Sequence, residues 1–383
     1  MTYMNRPRIL ILIDWFLPGY RAGGPIQSVA NLVRALRSEY DFTIITTDTD
    51  HASEQPYPGV RSDYWNDWEG IPVYYFSKRD LTYDHLLSLI RETPCDFVYL
   101  NSMYSLPFTI WPLMMLWRGQ WQGKMVLAPR GMLQAGAIRL KWLKKRVFLT
   151  LIRLSGVGKQ IIWHATDEQE RQDIGKYFGP KTDIRLSSNI PNQPVPRLTV
   201  PEKAPGAVRF VFISRVSRKK NLEFFLERLA EVTEGEVLFD VYGAREDEAY
   251  WTYCQALIYA LPKRIQVHLK GDIPSVQIQS TLASYHFSVL TTHGENFGHA
   301  IFDALAAGKP VIISDRTPWR DLEARNIGWD IPLDELNRYR EVIRQCIAMD
   351  QQAYTAMSEA TWQFARNYGS NPELLAQKRT LFS

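Results

Sequence analysis

The sequence predicts an α/β protein built from two doubly wound parallel-sheet domains, and three observations carry that prediction. Short apolar runs alternate with helical patterns along both halves of the chain, which indicates parallel sheets covered on both faces. At 383 residues the chain exceeds one ordinary domain, and two of roughly 180 are expected. Proline density from Pro191 to Pro205 separates the halves and reads as a linker. The expected domains are residues 1–190 and 191–367, with a tail of about 368–383 crossing back to the first.

In the first half, Arg8 to Ile13 reads as a buried strand. A glycine-rich turn follows, with Gly23 and Gly24 ahead of Pro25 at the first helical position and Ile26, Val29, Leu32, Val33 and Leu36 along one apolar side. Glycines here let backbone approach a ligand closely, although an ordinary tight turn uses them equally. Strands are expected at Thr43–Thr46, Val73–Phe76, Phe97–Leu100 and Lys124–Leu127, with helices at Tyr83–Arg91 and Leu106–Trp117. Asp48 to Gly70 reads as a long polar and aromatic loop, long enough to suggest a functional role. Arg130 follows a strand, at the end where doubly wound sheets place ligands. Ile138 to Leu154 is helical, but its cations and apolar residues both scatter round the wheel, so it does not read as a clean amphipathic anchor. His164, on a strand at Ile161–His164, reads as a core histidine more readily than a catalytic one.

The second half opens with a strand at Val208–Ile213 and a turn in which Arg215 and Lys220 flank the approach to a helix. Two cations so placed can hold a diphosphate, one by its planar fork and one as a point charge. Strands at Val237–Tyr242 and Ile265–Leu269 follow, the latter running into a turn with Gly271 and Ile273. Thr291 to Asp315 is the most informative stretch. A strand at His286–Leu290 leads through Glu295, Asn296, Phe297 and Gly298 to a helix ending near Ala307, with Gly308 and Pro310 before the next strand. The N–H groups and dipole at such a helix start suit an anion such as phosphate. Asp303 lies eight positions after Glu295 and leans back along the helix, so both carboxylates are expected to face one crevice and accept hydrogen bonds from sugar hydroxyls.

Glu295-Asn-Phe-Gly followed by Asp303-Ala-Leu-Ala-Ala-Gly-Lys-Pro-Val-Ile resembles the acidic signature of the retaining family-4 glycosyltransferases of the GT-B fold. The Pro-x-x-Gly-Gly turn at Gly23 and Gly24, the Asn189–Asn192 hinge and the Arg215–Lys220 segment are similar to that family as well. Asp303 departs from it, standing where the family has a second Glu, and Ser214 and Asn221 replace two family glycines. The resemblance implies two Rossmann-like domains facing a cleft and transfer of a sugar from a nucleotide-diphosphate donor with retention. Arg215 and Lys220 would stabilise the leaving diphosphate, Glu295 with Asn296, Phe297 and Gly298 would hold the sugar, and Asp303 the ribose. Backbone near Gly271 and Ile273 would read the base, and Arg130 would contact donor phosphate or an anionic acceptor. No cofactor and no metal are expected, and no Asp-x-Asp pair or His/Cys cluster falls among these site residues.

Hydrophobic content of 45% suffices for two cores, and no apolar run is long enough to span a membrane. The N-terminus has no signal-peptide pattern, and the three separated cysteines read as thiols of a reducing, cytosolic compartment. The charge is uneven. Phe97 to Thr166 contains no Asp or Glu but ten cations, Arg118, Lys124, Arg130, Arg139, Lys141, Lys144, Lys145, Arg146, Arg153 and Lys159. Such a block asks for an anionic partner. An anionic inner membrane face carrying a lipid-linked saccharide acceptor is the expected one; nucleic acid is not expected as a partner, because no recognised binding motif accompanies the block. A sugar-nucleotide epimerase or hydrolase, a non-catalytic saccharide-binding protein and a nucleic-acid-binding protein are the alternative readings. Arg215 and Lys220 speak against the second, which needs no diphosphate contact.

Overall fold

The structure, a computed structural model, describes residues 6–134, 137–138, 142–192 and 196–383. Arg139, Lys141 and the 193–195 part of the hinge lie outside the described residues. The chain divides into two compact units, Met1–Ile190 with Pro372–Ser383, and Pro191–Asn371.

The first unit holds β1 (Arg8–Leu12), β2 (Asp41–Thr47), β3 (Tyr64–Trp68), β4 (Ile71–Phe76), β5 (Phe97–Leu100), β6 (Lys124–Leu127), β7 (Ile162–Ala165) and β8 (Ile184–Leu186). They form one sheet in the order β3-β4-β2-β1-β5-β6-β7-β8. Alternate residues feed opposite cores, as a pleated strand dictates. Ile9, Ile11, Val73 and Tyr99 pack on one face, and Leu10, Leu12, Phe76 and Leu100 on the other. The helices are α1 (Gly24–Leu36), α2 (Tyr83–Glu92), α3 (Trp111–Trp117), α4 (Trp142–Ser155) and α5 (Glu168–Phe178).

Two elements differ from expectation. The Asp48–Gly70 stretch is not all loop, because β3 pairs antiparallel with β4, Trp68 opposite Ile71. Glu69 and Gly70 both take positive φ, the geometry of a two-residue hairpin turn, and the half-solvated edge strand tolerates Asn66 and Asp67. The helix expected over Leu106–Trp117 is present without a break, but its first turn, Leu106–Ile110, is wound wider, as a π-helix, before α3. Pro112 has no N–H to continue a regular ladder there.

The second unit holds β9 (Ala207–Ile213), β10 (Glu236–Tyr242), β11 (Ile265–Gly271), β12 (Phe287–Leu290), β13 (Val311–Ser314) and β14 (Gly328–Ile331). Their order is β11-β10-β9-β12-β13-β14, all parallel. Its helices are α6 (Leu222–Ala230), α7 (Glu248–Tyr259), α8 (Ile278–Leu282), α9 (His299–Ala306), α10 (Leu336–Ala348) and α11 (Gln351–Gly369). The closing helix α12 (Pro372–Thr380) packs within the first unit, where Leu381 and Phe382 are buried and Arg379 forks onto Glu39 at 2.7 and 2.8 Å. The change of unit falls at Pro372, because α11 continues through Gly369 with the second. In each sheet the winding reverses once, at β1/β5 and at β9/β12, the places where doubly wound sheets bind ligands.

Candidate functional site

The β9/β12 reversal positions most of the predicted residues. The loop from β9 and the loop from β12 are joined by backbone and side-chain bonds. His293 N–H donates to Lys219 O at 2.8 Å, Thr292 Oγ1 to the same oxygen at 3.0 Å, and Asn221 Nδ2 to Thr291 O at 2.9 Å. Asn221 takes φ +59 at the start of α6, so asparagine stands where a left-handed residue is required, and its short side chain ties the two loops. This stitching brings Lys220 Nζ within 2.6 Å of Glu295 Oε1, although the residues are 75 positions apart. Burial would push the Glu295 carboxyl up, but the Lys220 charge and hydrogen bond outweigh it and hold the group below its ordinary value.

Arg215, at the mouth of the same β9 loop, is half-buried and pairs with Glu246 on the loop leaving β10. That loop is drawn close because Gly243, at φ +141, lies where any Cβ would meet Ser214 O at 2.0 Å. Gly271 follows at the end of β11 and accepts from Gly243 N–H at 2.9 Å, while the space where its own Cβ would stand is open. Ile273 is half-buried just beyond.

Gly298 begins α9 at φ +79, and no side chain caps the helix. A Cβ on Gly298 would sit 2.8 Å from Ile301 Cδ1, so that side-chain tip would have to shift, and the positive φ itself favours glycine. Phe297 is buried, and its carbonyl accepts from Trp319 Nε1 at 2.6 Å, which fixes the turn carrying Asn296. Asp303 is buried on the second turn of α9, where Asn192 Nδ2 donates to its Oδ1 at 2.7 Å. Burial pushes its carboxyl up to about 6 against the pull of Asn192. Glu295 and Asp303 therefore meet separate partners.

The first unit carries the remaining candidates. Gly23, at φ +68, starts α1 without a side-chain cap, followed by Gly24. Asp50 shapes the preceding turn, its Oδ2 accepting from Tyr20 and Arg21 N–H at 2.9 and 3.2 Å. Arg130 sits at φ +56 after β6, and its guanidinium donates to Tyr99 Oη at 2.9 Å, Asn101 Oδ1 at 2.7 Å and Asn189 Oδ1. Its buried Nε has no partner among the described residues. His164 is fully buried between Tyr99 Oη at 2.8 Å and Ser187 O at 2.7 Å. Burial, then the charges of Lys378 and Arg130, hold it well below its ordinary value, so it is a core histidine. Asp14 is a candidate the residue pattern did not single out. It follows β1 at the sheet reversal and accepts from Ser105 Oγ at 2.6 Å, and burial pushes its carboxyl up. An acid directly after a buried strand was the available signal.

Among the described residues no group of three or more His, Cys, Asp or Glu is arranged to hold a metal ion. Among the same residues no helix is long and apolar enough to cross a membrane.

Residues 200–364 match the family described as Glycosyl transferases group 1. No curated protein matches the sequence significantly. Among solved structures, Anabaena HepE in complex with UDP and glucose superposes with a TM-score of 0.70 at 15% identity, over 98% of each chain. WaaG, a glycosyltransferase involved in lipopolysaccharide biosynthesis, gives 0.66 at 14%, over 97% of this chain and 98% of its own. Sucrose-phosphate synthase from Thermosynechococcus elongatus gives 0.69 at 16%, over 98% of each. At such identities the likeness establishes the fold. The chain has the GT-B fold, and its second unit carries the match to the group 1 glycosyl transferases.

Proposed function

We propose that the protein is a retaining, metal-independent glycosyltransferase of family-4 type. It moves a sugar from a nucleotide-diphosphate donor to a saccharide acceptor, lipid-linked and destined for a surface polysaccharide. The observation that carries the reading is the Lys220–Glu295 contact made where the second sheet reverses. There a cation, a carboxylate and an uncapped helix start converge, which is the equipment needed to hold a diphosphate beside a hydroxyl-bearing sugar. The HepE structures hold UDP, glucose and UDP-glucose, which supports a sugar-nucleotide donor.

In this reading Lys220 and Arg215 take the charge that develops on the leaving diphosphate. Glu295 accepts from sugar hydroxyls, with Asn296, Phe297 and Gly298 shaping the turn. The carboxylate of Asp303, reached through Asn192, holds the ribose. Backbone at Gly271 and Ile273 meets the base. Gly23, Gly24 and Arg130 serve the acceptor's side of the reaction. Neither Glu295 nor Asp303 acts as a nucleophile here, and retention is the family's own stereochemistry.

Turnover of the donor by wild type and by Lys220→Ala, at saturating donor, tests the assignment. Removing one preorganised charge contact typically costs on the order of a hundredfold in turnover. Near-normal turnover by Lys220→Ala would refute the role. Donor consumption that does not depend on acceptor would favour an epimerase or hydrolase instead.

A further inference from the structure

Arg215 awaits a diphosphate in the proposed reading, yet it already holds a carboxylate. The loops leaving β9 and β10 meet here, and backbone bonds zip them together. Ser214 N–H donates to Tyr242 O at 3.0 Å, Val216 N–H to Ala244 O at 2.8 Å and Glu246 N–H to Val216 O at 3.2 Å. That register delivers two acids to two cations, Glu246 to Arg215 and Asp247 to Arg218, the second pair at 3.3 Å.

The two acids are not equivalent. Asp247 has a structural duty, because its Oδ1 accepts from Tyr250 N–H at 2.9 Å and caps α7. Glu246 caps nothing, and among the described residues its carboxylate meets Arg215 alone. The Arg215 and Glu246 side chains are 36% and 26% exposed, and an ion pair so open to water adds little to stability. Lys220 and Glu295 form a more enclosed pair, at 13% and 10%. Of the two cations assigned to the diphosphate, Arg215 therefore has the acid that is easier to displace. Carboxylate and phosphate oxygens are the same kind of acceptor for a guanidinium, so Glu246 and a phosphate group contend for one fork.

We propose that Glu246 is a further residue of the donor site, a built-in competitor whose carboxylate stands on Arg215 where a donor phosphate oxygen binds. The diphosphate takes Arg215 from Glu246 on entry, helped by Lys220 and by its base and sugar contacts. Glu246 takes the guanidinium back as the product nucleotide leaves. Nucleotide affinity is thereby kept below what two free cations would give, because the ligand meets both a lost ion pair and a nearby like charge. The proposal rests on the reading that Arg215 meets the diphosphate.

The test is isothermal titration of the full chain with UDP, GDP, ADP and dTDP at low salt. Wild type is compared with Glu246→Gln, Arg215→Gln and the double variant. Whichever nucleotide binds wild type should bind Glu246→Gln about fivefold tighter, the scale of one ion pair of this exposure. In the Arg215→Gln background the same change should gain less than twofold, because the competition has lost its object. Thermal melting checks the folds, and Glu246→Ala should repeat the gain. Unchanged affinity in Glu246→Gln would overturn the proposal, and weaker binding would make Glu246 a support that orients Arg215 instead. An equal gain with and without Arg215 would also overturn it, by reducing Glu246 to a distant charge. If none of the four nucleotides binds wild type or Glu246→Gln, the donor-site reading itself falls and the proposal with it.

Discussion

Asp303 shows what one residue contributes in each state of the chain. Burial lifts its carboxyl to about 6, so the folded protein keeps this proton where the unfolded chain, near pH 4, has released it. The folded state then binds more protons between about pH 4 and 6, and its stability falls as pH rises through that window. Asp303→Asn keeps the acceptor for Asn192 and removes the titration. The variant should gain stability over wild type on going from pH 4.5 to 7.5, by about 2–3 kcal/mol at most. Thermal melts of both proteins at the two values check it, and an equal difference at both would mean the carboxyl is not held protonated. Lys220 and Glu295 work the other way, since each stabilises the charge of the other. Cutting one leaves the second charge poorly compensated at a largely enclosed position, so Glu295→Gln should disturb Lys220 as well as sugar contact.

At the scale of elements, the start of α9 is held by conformation and packing together. Gly298→Ala meets Ile301 at 2.8 Å and must hold φ +79, whereas Gly271→Ala, at φ +74, meets nothing within 4 Å. Gly271→Ala should cost about 1 kcal/mol and Gly298→Ala more, with a loss of donor affinity from the displaced turn. Chemical denaturation of the two variants separates them, and equal costs would show that packing at Ile301 is irrelevant. The Thr291–Asp315 stretch was legible because apolar strands, a glycine at the helix start and Gly308-x-Pro310 at its end are all local signals. Contacts set by topology were not. Lys220 meets Glu295 only because β9 and β12 are neighbours, and nothing local orients Arg215 toward Glu246. Strand β3 was hidden by Asn66 and Asp67, and α7 by an apolar pattern too weak to mark a face. Helix α4 misled for the opposite reason, having an apolar stripe on each side.

At the scale of the whole molecule, two sheets wound alike divide the chain, and the C-terminal α12 returns its bulk to the first unit. Phe382 packs there against Tyr40, Phe97 and Tyr99. Phe382→Ala should cost about 3–5 kcal/mol of that unit's stability while leaving nucleotide affinity of the second within twofold. Calorimetric melting with and without nucleotide measures both, and a matching collapse of nucleotide affinity would show that the units do not fold separately. The central claim is that the reversal of the second sheet binds a nucleotide diphosphate through Lys220. Isothermal titration of the full chain with UDP-, GDP-, ADP- and dTDP-sugars, repeated on Lys220→Ala, tests it most directly. The account predicts saturable binding of one nucleotide class, weakened at least tenfold by the substitution. Binding equally tight to Lys220→Ala, or no binding by any of the four, would contradict it.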